Sequence, residues 1–337
     1  MSSASEATPT FLGRPVGDGE AEGGSLNETR FTQLLDASVP LQLAAMPGVS
    51  TPALVAAVIE SGGVGMFPAT LLTPAELRKS LDQIAELTSG PVGVNFLMPF
   101  LEPESVAVAA SHSKLVEFFY GEPRADLVEQ VHAGGALVSW QVGSAEEGAA
   151  AEAAGCDLVV AQGTEAGGHV RGTSTLEWLL PEITAAVEVP VLAAGGISTA
   201  RDVVAAMSLG ASGVRVGTRF VAAVESDAHP SYVDALIDAS ADDTCLTEAY
   251  SVMWPDAPHR VLRSAIAAAE ALPDDTVGET NLGGQRVPIP RFAVMVPSKQ
   301  TTGHVEAMAL YAGTSVTDVL KVQPAAEIVF ELFPDRD

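Results

Sequence analysis

The stretch V-P-V-L-A-A-G-G-I-S-T-A-R-D-V-V-A-A-M-S-L-G-A-S-G-V-R-V-G-T-R-F, residues 189–220, holds one complete structural unit. A short apolar run of β type, Val191–Ala194, ends in a glycine pair. Thr199 then caps a helix: its oxygen accepts a free N–H of the first turn, and Asp202 returns a bond to the cap. The Ala-rich stretch Ala200–Leu209 keeps helical spacing, Gly210 can take the left-handed conformation at its end, and a second apolar run, Gly213–Val216, follows.

The same unit recurs towards the N-terminus. Apolar runs at Leu41–Ala45, Val64–Phe67, Val92–Phe96, Leu115–Phe119, Ala136–Gln141 and Leu158–Ala161 bring the strands to eight. Helical stretches such as Pro74–Leu87 and Ala145–Ala154 lie between them. Cap pairs mark the helix starts, Thr73 with Glu76, Ser144 with Glu147 and Ser174 with Glu177, and Thr51 precedes a proline at the first helical position. Alternating strands and helices imply a parallel sheet with right-handed crossovers and outer helices. Eight such units of about 20 to 30 residues predict an α/β fold, a (β/α)8 TIM barrel. A doubly wound sheet would want a Gly-rich dinucleotide turn after the first strand, where the chain reads MPGVSTP.

Composition bounds the rest. The 337 residues suit one large barrel, and with 47% hydrophobic and 18% charged residues the chain has the material for a core. Asp and Glu outnumber Lys and Arg by 43 to 17, a net charge of −26 that repels polyanions and excludes nucleic acid as a partner. Cys156 and Cys245 are too few for a disulfide framework and point to a reducing compartment. No 18-residue apolar window supports a membrane span, so a cytoplasmic location is expected. Residues 1–30 read as a mobile tail without signal-peptide character, and 31–337 as a single barrel domain whose first helix is Arg30–Leu35. Residues 222–300 read as a helical and loop insertion, a cap or lid over the barrel mouth. Within it Val261–Leu272 reads as a helix and Pro273–Gln300 as irregular; helical pattern returns at His304–Tyr311 and at Pro324–Leu332.

In such a barrel the site lies where the strands end. After the sixth run come Gln162-Gly163-Thr164-Glu165-Ala166-Gly167-Gly168-His169-Val170-Arg171-Gly172, glycines that let backbone approach a bound group and a histidine able to work as a base or to hold an anion. Taken alone, that histidine is better read as a loop residue capping the next helix. The seventh and eighth runs end in Gly195-Gly196-Ile197-Ser198-Thr199 and Gly217-Thr218-Arg219, and on consecutive strands such loops form the usual phosphate site of a barrel. His112 and His132 read as solvated helix residues, and Cys156 as a packed core thiol. No metal-ligand set is assigned.

These segments together resemble the nitronate monooxygenases (2-nitropropane dioxygenases), FMN-dependent TIM barrels. The resemblance runs from about Leu41 to Phe220 and rests on LAAMPGVSTPALVAAVIESGGVG, PVGVNFL, VVAQGTEAGGHVRG, VPVLAAGGIST and GASGVRVGTRF, of which QGTEAGGH is the specific motif. Similar text occurs in flavin-dependent enoyl-acyl-carrier-protein reductases and quinone reductases. The resemblance implies FMN as cofactor, with Ala45, Met46 and Pro47 beside its ring and Asn95 and Gln162 on its polar edge. It further implies Gly167 and Gly168 passing close to it, Gly195, Gly196, Gly217 and Thr218 on its phosphate, and His169 as the catalytic histidine. The partners it implies are a small-molecule substrate and dioxygen; a homodimer stays open. Arg171 is a candidate for holding an anionic substrate. The segment Glu117–Gly121 lacks the histidine that many relatives carry there, and Tyr120, Tyr250, Tyr311 and Lys299 are candidates without assigned roles. The implied reaction is oxidation of nitronates to a carbonyl compound and nitrite; the alternative is an NAD(P)H-dependent flavin reductase.

Overall fold

A computed structural model describes residues 27–335; the greater part of the expected N-terminal tail therefore lies outside the described residues. Eight parallel strands form the centre: β1 (Leu41–Leu43), β2 (Gly65–Pro68), β3 (Val92–Leu97), β4 (Leu115–Phe119), β5 (Leu137–Val142), β6 (Leu158–Gln162), β7 (Val191–Ala194) and β8 (Gly213–Val216). They pair in the order β1-β8-β7-β6-β5-β4-β3-β2. A parallel bridge from Gln42 to Val64 joins β1 to β2 and closes the ring, with Val64 N–H donating to Leu41 O at 2.8 Å and Leu43 N–H to Val64 O at 2.9 Å. The expected TIM barrel is present.

The outer helices form where the caps require. Thr73 with Glu76 and Thr199 with Asp202 make full reciprocal boxes, and Thr51 accepts from Leu54 N–H ahead of the Pro52–Glu60 helix. The Ser174–Glu177 pair is different. That helix begins at Leu176 behind Thr175, which makes no side-chain cap bond; the Glu165 carboxylate, from the glycine-rich loop after β6, accepts the Leu176 N–H at 3.0 Å instead. A loop residue has replaced the local cap. Val94, Phe118, Trp140, Val159, Ala193 and Val214 are part of the buried core, and the C-terminal helix Ala325–Leu332 packs on Pro52–Glu60.

The region after β8 departs most from expectation. His259–Leu262 is a strand, β10, paired antiparallel to β9 (Thr244–Thr247), and the helix starts only at Arg263 and ends at Ala271. The 273–300 stretch contains a β-hairpin, β11 (Thr276–Leu282) and β12 (Gln285–Pro290), turned by Gly283 and Gly284, both with positive φ. A two-residue Gly-Gly turn between strands is a recognised hairpin connection. Helix at His304–Tyr311 is reduced to one 3₁₀ turn, Val305–Ala307. Phe292 and Met308 pack this region into its own small core with Val277, Ile289 and Ala269.

Candidate active site

A cavity of about 420 Å³ opens where the barrel strands end, within the size range of small-molecule sites. Ala45, Met46, Pro47, Asn95, Gln162, Gly167, Gly168, His169, Gly195, Gly196, Gly217 and Thr218 all line it, so every residue expected at the site is brought to one place. The insertion supplies the facing wall through Met253, Trp254, Leu282, Met295 and Val296, among others.

His169 is positioned by pairing rather than by its loop alone. Gly168 and His169 form a two-residue strand against β10, in register with Arg260 and His259, and Val170 N–H donates to Pro258 O at 2.8 Å. The imidazole stacks on Trp254, ring centroids 3.9 Å apart and 18° from parallel, and Tyr120, Tyr311 and His259 stand around it at 5.2 to 6.0 Å. Burial in this aromatic box pushes its pKa down to about 3, and the neighbouring His259 acts in the same direction. The ring is therefore neutral at physiological pH. His259 is itself lowered by burial; its Nδ1 bonds Ala257 O at 2.8 Å and its Nε2 accepts Tyr250 N–H, which leaves Nδ1 as the protonated nitrogen.

The barrel side of the cavity is polar. Gln162 Nε2 donates to His169 O at 2.9 Å and Asn95 Nδ2 to Glu117 Oε1 at 2.8 Å. Glu117, fully buried, also accepts from Ser139 and pairs with Arg215, whose guanidinium donates in addition to Gln141 and, at 2.8 Å through Nε, to Gln42. Neither Glu117 nor Arg215 was among the sequence candidates. Yet alternation along L-V-E-F-F and G-V-R-V places each on the barrel interior, and a charge amid apolar strand residues is the signal that could have found them.

Other candidates have structural occupations. Arg171 pairs with Glu122 and Glu147, so it is not a free cation for an anionic substrate. Lys299 donates to Ser226 O at 2.5 Å, Tyr250 is buried with its hydroxyl on Ala307 O, and Tyr311 lines the cavity with its hydroxyl on Val294 O at 3.2 Å. His112 and His132 sit on helices, the latter bonded to Asp157, and burial pushes the Cys156 thiol up to about 12.

Comparison with known proteins identifies the chemistry this barrel belongs to. The nitronate monooxygenase family model matches residues 28–112 and 101–335. A probable nitronate monooxygenase of Staphylococcus aureus (strain JH9) is 33% identical over 273 residues, covering 67% of this chain and 76% of its own. The chain belongs to the nitronate monooxygenase family. Among solved structures, FabK from Thermotoga maritima superposes with a TM-score of 0.75 at 29% identity, covering 91% of this chain and 95% of that one. Nitroalkane oxidase from Streptomyces ansochromogenes superposes with a TM-score of 0.73 at 27% identity, covering 91% and 97%. As a nitronate monooxygenase family member the protein is a flavin-dependent oxidoreductase. No helix among the described residues is long and apolar enough to cross a membrane.

The cavity fits a flavin on its own evidence. Five buried side-chain polar atoms lack a partner among the described residues, and three of them, Thr70 Oγ1, Gln162 Oε1 and His169 Nε2, belong to cavity-lining residues. Such atoms cost free energy unless a ligand or water meets them. Gly195 and Gly196, at φ of 113° and 71°, hold the loop after β7 in a conformation that a side chain would strain.

Proposed function

We propose that the protein uses FMN to oxidise alkyl nitronates, and nitroalkanes that it first deprotonates, consuming dioxygen and yielding a carbonyl compound and nitrite. The observation that carries this reading is the neutral, unpartnered imidazole of His169 in the wall of a flavin-sized cavity. FMN would be held by the backbone of Ala45, Met46 and Pro47 beside the ring and by Asn95 and Gln162 at its polar edge. Gly167 and Gly168 would allow close approach, and Gly195, Gly196, Gly217 and Thr218 would hold the phosphate. Bound flavin supplies the electron chemistry, taking electrons from the substrate and delivering them to dioxygen.

The protein's own part is positional and protonic. His169 accepts the α-proton of a nitroalkane through an unprotonated ring nitrogen, and its other nitrogen can donate a hydrogen bond to a nitronate oxygen. Burial and His259 keep the resting ring unprotonated and ready to act as a base; the imidazolium formed once it has taken the α-proton would be stabilised by the nitronate anion generated beside it. Trp254 and the wall from the insertion shield the substrate from bulk water.

Purified protein tests this directly. Flavin released on denaturation should chromatograph as FMN, and oxygen uptake should follow addition of a nitronate without nicotinamide. The likeness to FabK favours a second reading, NAD(P)H-driven reduction of an enoyl thioester or quinone. Anaerobic addition of NADH or NADPH separates the two: rapid bleaching of the flavin supports the reductase, and indifference supports the monooxygenase.

A further inference from the structure

Leu71 and Met253 hold φ at 62° and 81°, the left-handed region where a bulky side chain crowds its own backbone and glycine or asparagine sits more easily. Phe292 and Tyr120 share that conformation, but each has a packing reason for it. Phe292 belongs to the small core of the insertion, and Tyr120 stands edge-on to Trp254. Leu71 and Met253 have no such reason: they are 49% and 47% exposed and lie outside the hydrophobic clusters of the described residues. What they share is the cavity, which both line, one from the loop after β2 and the other from the insertion. Leu282, 46% exposed, lines it too, from the tip of the β11–β12 hairpin. That tip reaches the loop of Leu71: a Cβ on Gly283 would stand 3.9 Å from Glu76 Oε1, at the start of the Pro74–Leu87 helix. Phe100 continues the apolar rim, edge-on to Trp254 with ring centroids 5.2 Å apart.

We propose that this rim is a subsite for an extended, uncharged alkyl tail, so that the nitronates the protein oxidises are those of long-chain nitroalkanes. Aliphatic side chains kept at a conformational cost, outside any core and around one opening, are explained by a ligand that covers them. The charges agree. Among the described residues lining the cavity, the charged side chains are Arg215 and Asp227; Arg215 is committed to Glu117, and Asp227 is an acid. A carboxylate on the substrate's tail would therefore meet apolar surface and a like charge, whereas methylene groups would leave water at the rim. The inference rests on the nitronate reading above and adds the class of tail.

The test is a series of primary nitronates, from nitroethane to 1-nitrohexane, turned over by the flavin-loaded protein. Across its four added methylenes kcat/KM should rise about thirtyfold, mostly through KM, as burial of the tail predicts. The nitronate of an ω-nitro acid should fall about tenfold or more below the alkyl nitronate of equal length. Leu71→Asn combined with Met253→Asn removes the apolar surface with a residue suited to positive φ, and should cut the hexane-to-ethane ratio about fivefold. A wall that merely excludes water would lower both substrates by one factor and leave that ratio intact. If the double variant does not fold, Leu282→Asn asks the same question from the hairpin, and its ratio should also fall. Turnover that ignores chain length in wild type, or a ratio unchanged in the variants, overturns the proposal while the nitronate reading stands. If no nitronate of any length is turned over, the nitronate reading falls and this inference with it.

Discussion

The two sides of the cavity are built on opposite principles. On the barrel side, Asn95, Gln141, Gln162 and Arg215 stand on strands, and their polar ends are tied to one another or to main chain. On the insertion side, Trp254, Met253, Leu282 and Met295 present rings and aliphatic surface from loops and a hairpin. His169 belongs to both: its backbone is paired to β10 and accepts from Gln162, while its ring lies on Trp254. A rigid polar side suits recognition of a cofactor that stays. A dry aromatic side suits control of a proton, because it decides the charge of the histidine without contacting it through hydrogen bonds.

Breaking the insertion side at its centre should have the largest effect. His169→Asn is expected to retain FMN yet lose about 10²- to 10⁴-fold in kcat/KM with nitroalkanes, the usual worth of a general base; full retained turnover would remove His169 from the mechanism. Breaking the barrel side should act on the fold instead. Arg215→Met leaves Glu117 as an uncompensated charge inside the barrel and should cost about 3 to 5 kcal/mol of stability, read as a lowered urea midpoint.

Acid sharpens the contrast. The unfolded chain binds a proton on this histidine below its ordinary value of about 6.5, whereas the folded protein resists until about 3. Its contribution to stability is therefore complete above 6.5 and is lost as pH falls towards 3, about 2 kcal/mol of it by pH 5. Relief of repulsion among the many carboxylates acts in the opposite direction, so the informative quantity is the difference between wild type and His169→Gln, whose melting temperatures should converge on going from pH 7 to 5. Trp254→Ala should admit water to the imidazole and flatten the same dependence. The smallest effect is expected outside both walls. Thr29→Ala removes the cap of the Arg30–Leu35 helix, costs about 1 kcal/mol, and should leave both FMN affinity and His169 unchanged.

What could be read in advance follows the same division. β4, β7, β8 and the helices Arg30–Leu35 and Pro74–Leu87 lie where local pattern places them, because each is a repeat of one self-consistent unit with its own cap and stop. The expected site residues converge because a closed barrel brings all its strand ends together. The insertion was harder to read because its strands are specified at a distance: β10 continues without a break into an Ala-rich helix, and only pairing with Thr244–Thr247 and Gly168–His169 makes it extended. The hairpin did carry a local signal in Gly283-Gly284, but its mostly exposed strands lack a clean alternation. Trp254 gave none at all, a lone aromatic in an irregular stretch whose partner lies 85 positions earlier in the chain.

The closure of the barrel between β1 and β2 rests on one bridge at Gln42, the shortest seam in the ring. Of the eight joints, this one should fray first: amide protons of Leu43 and Val64 should exchange with deuterium ahead of those in the ladders between β3, β4 and β5. Gln42 is also the residue that carries Arg215 from behind, so transient parting of that joint would give the guanidinium a brief route to water without any movement of the insertion.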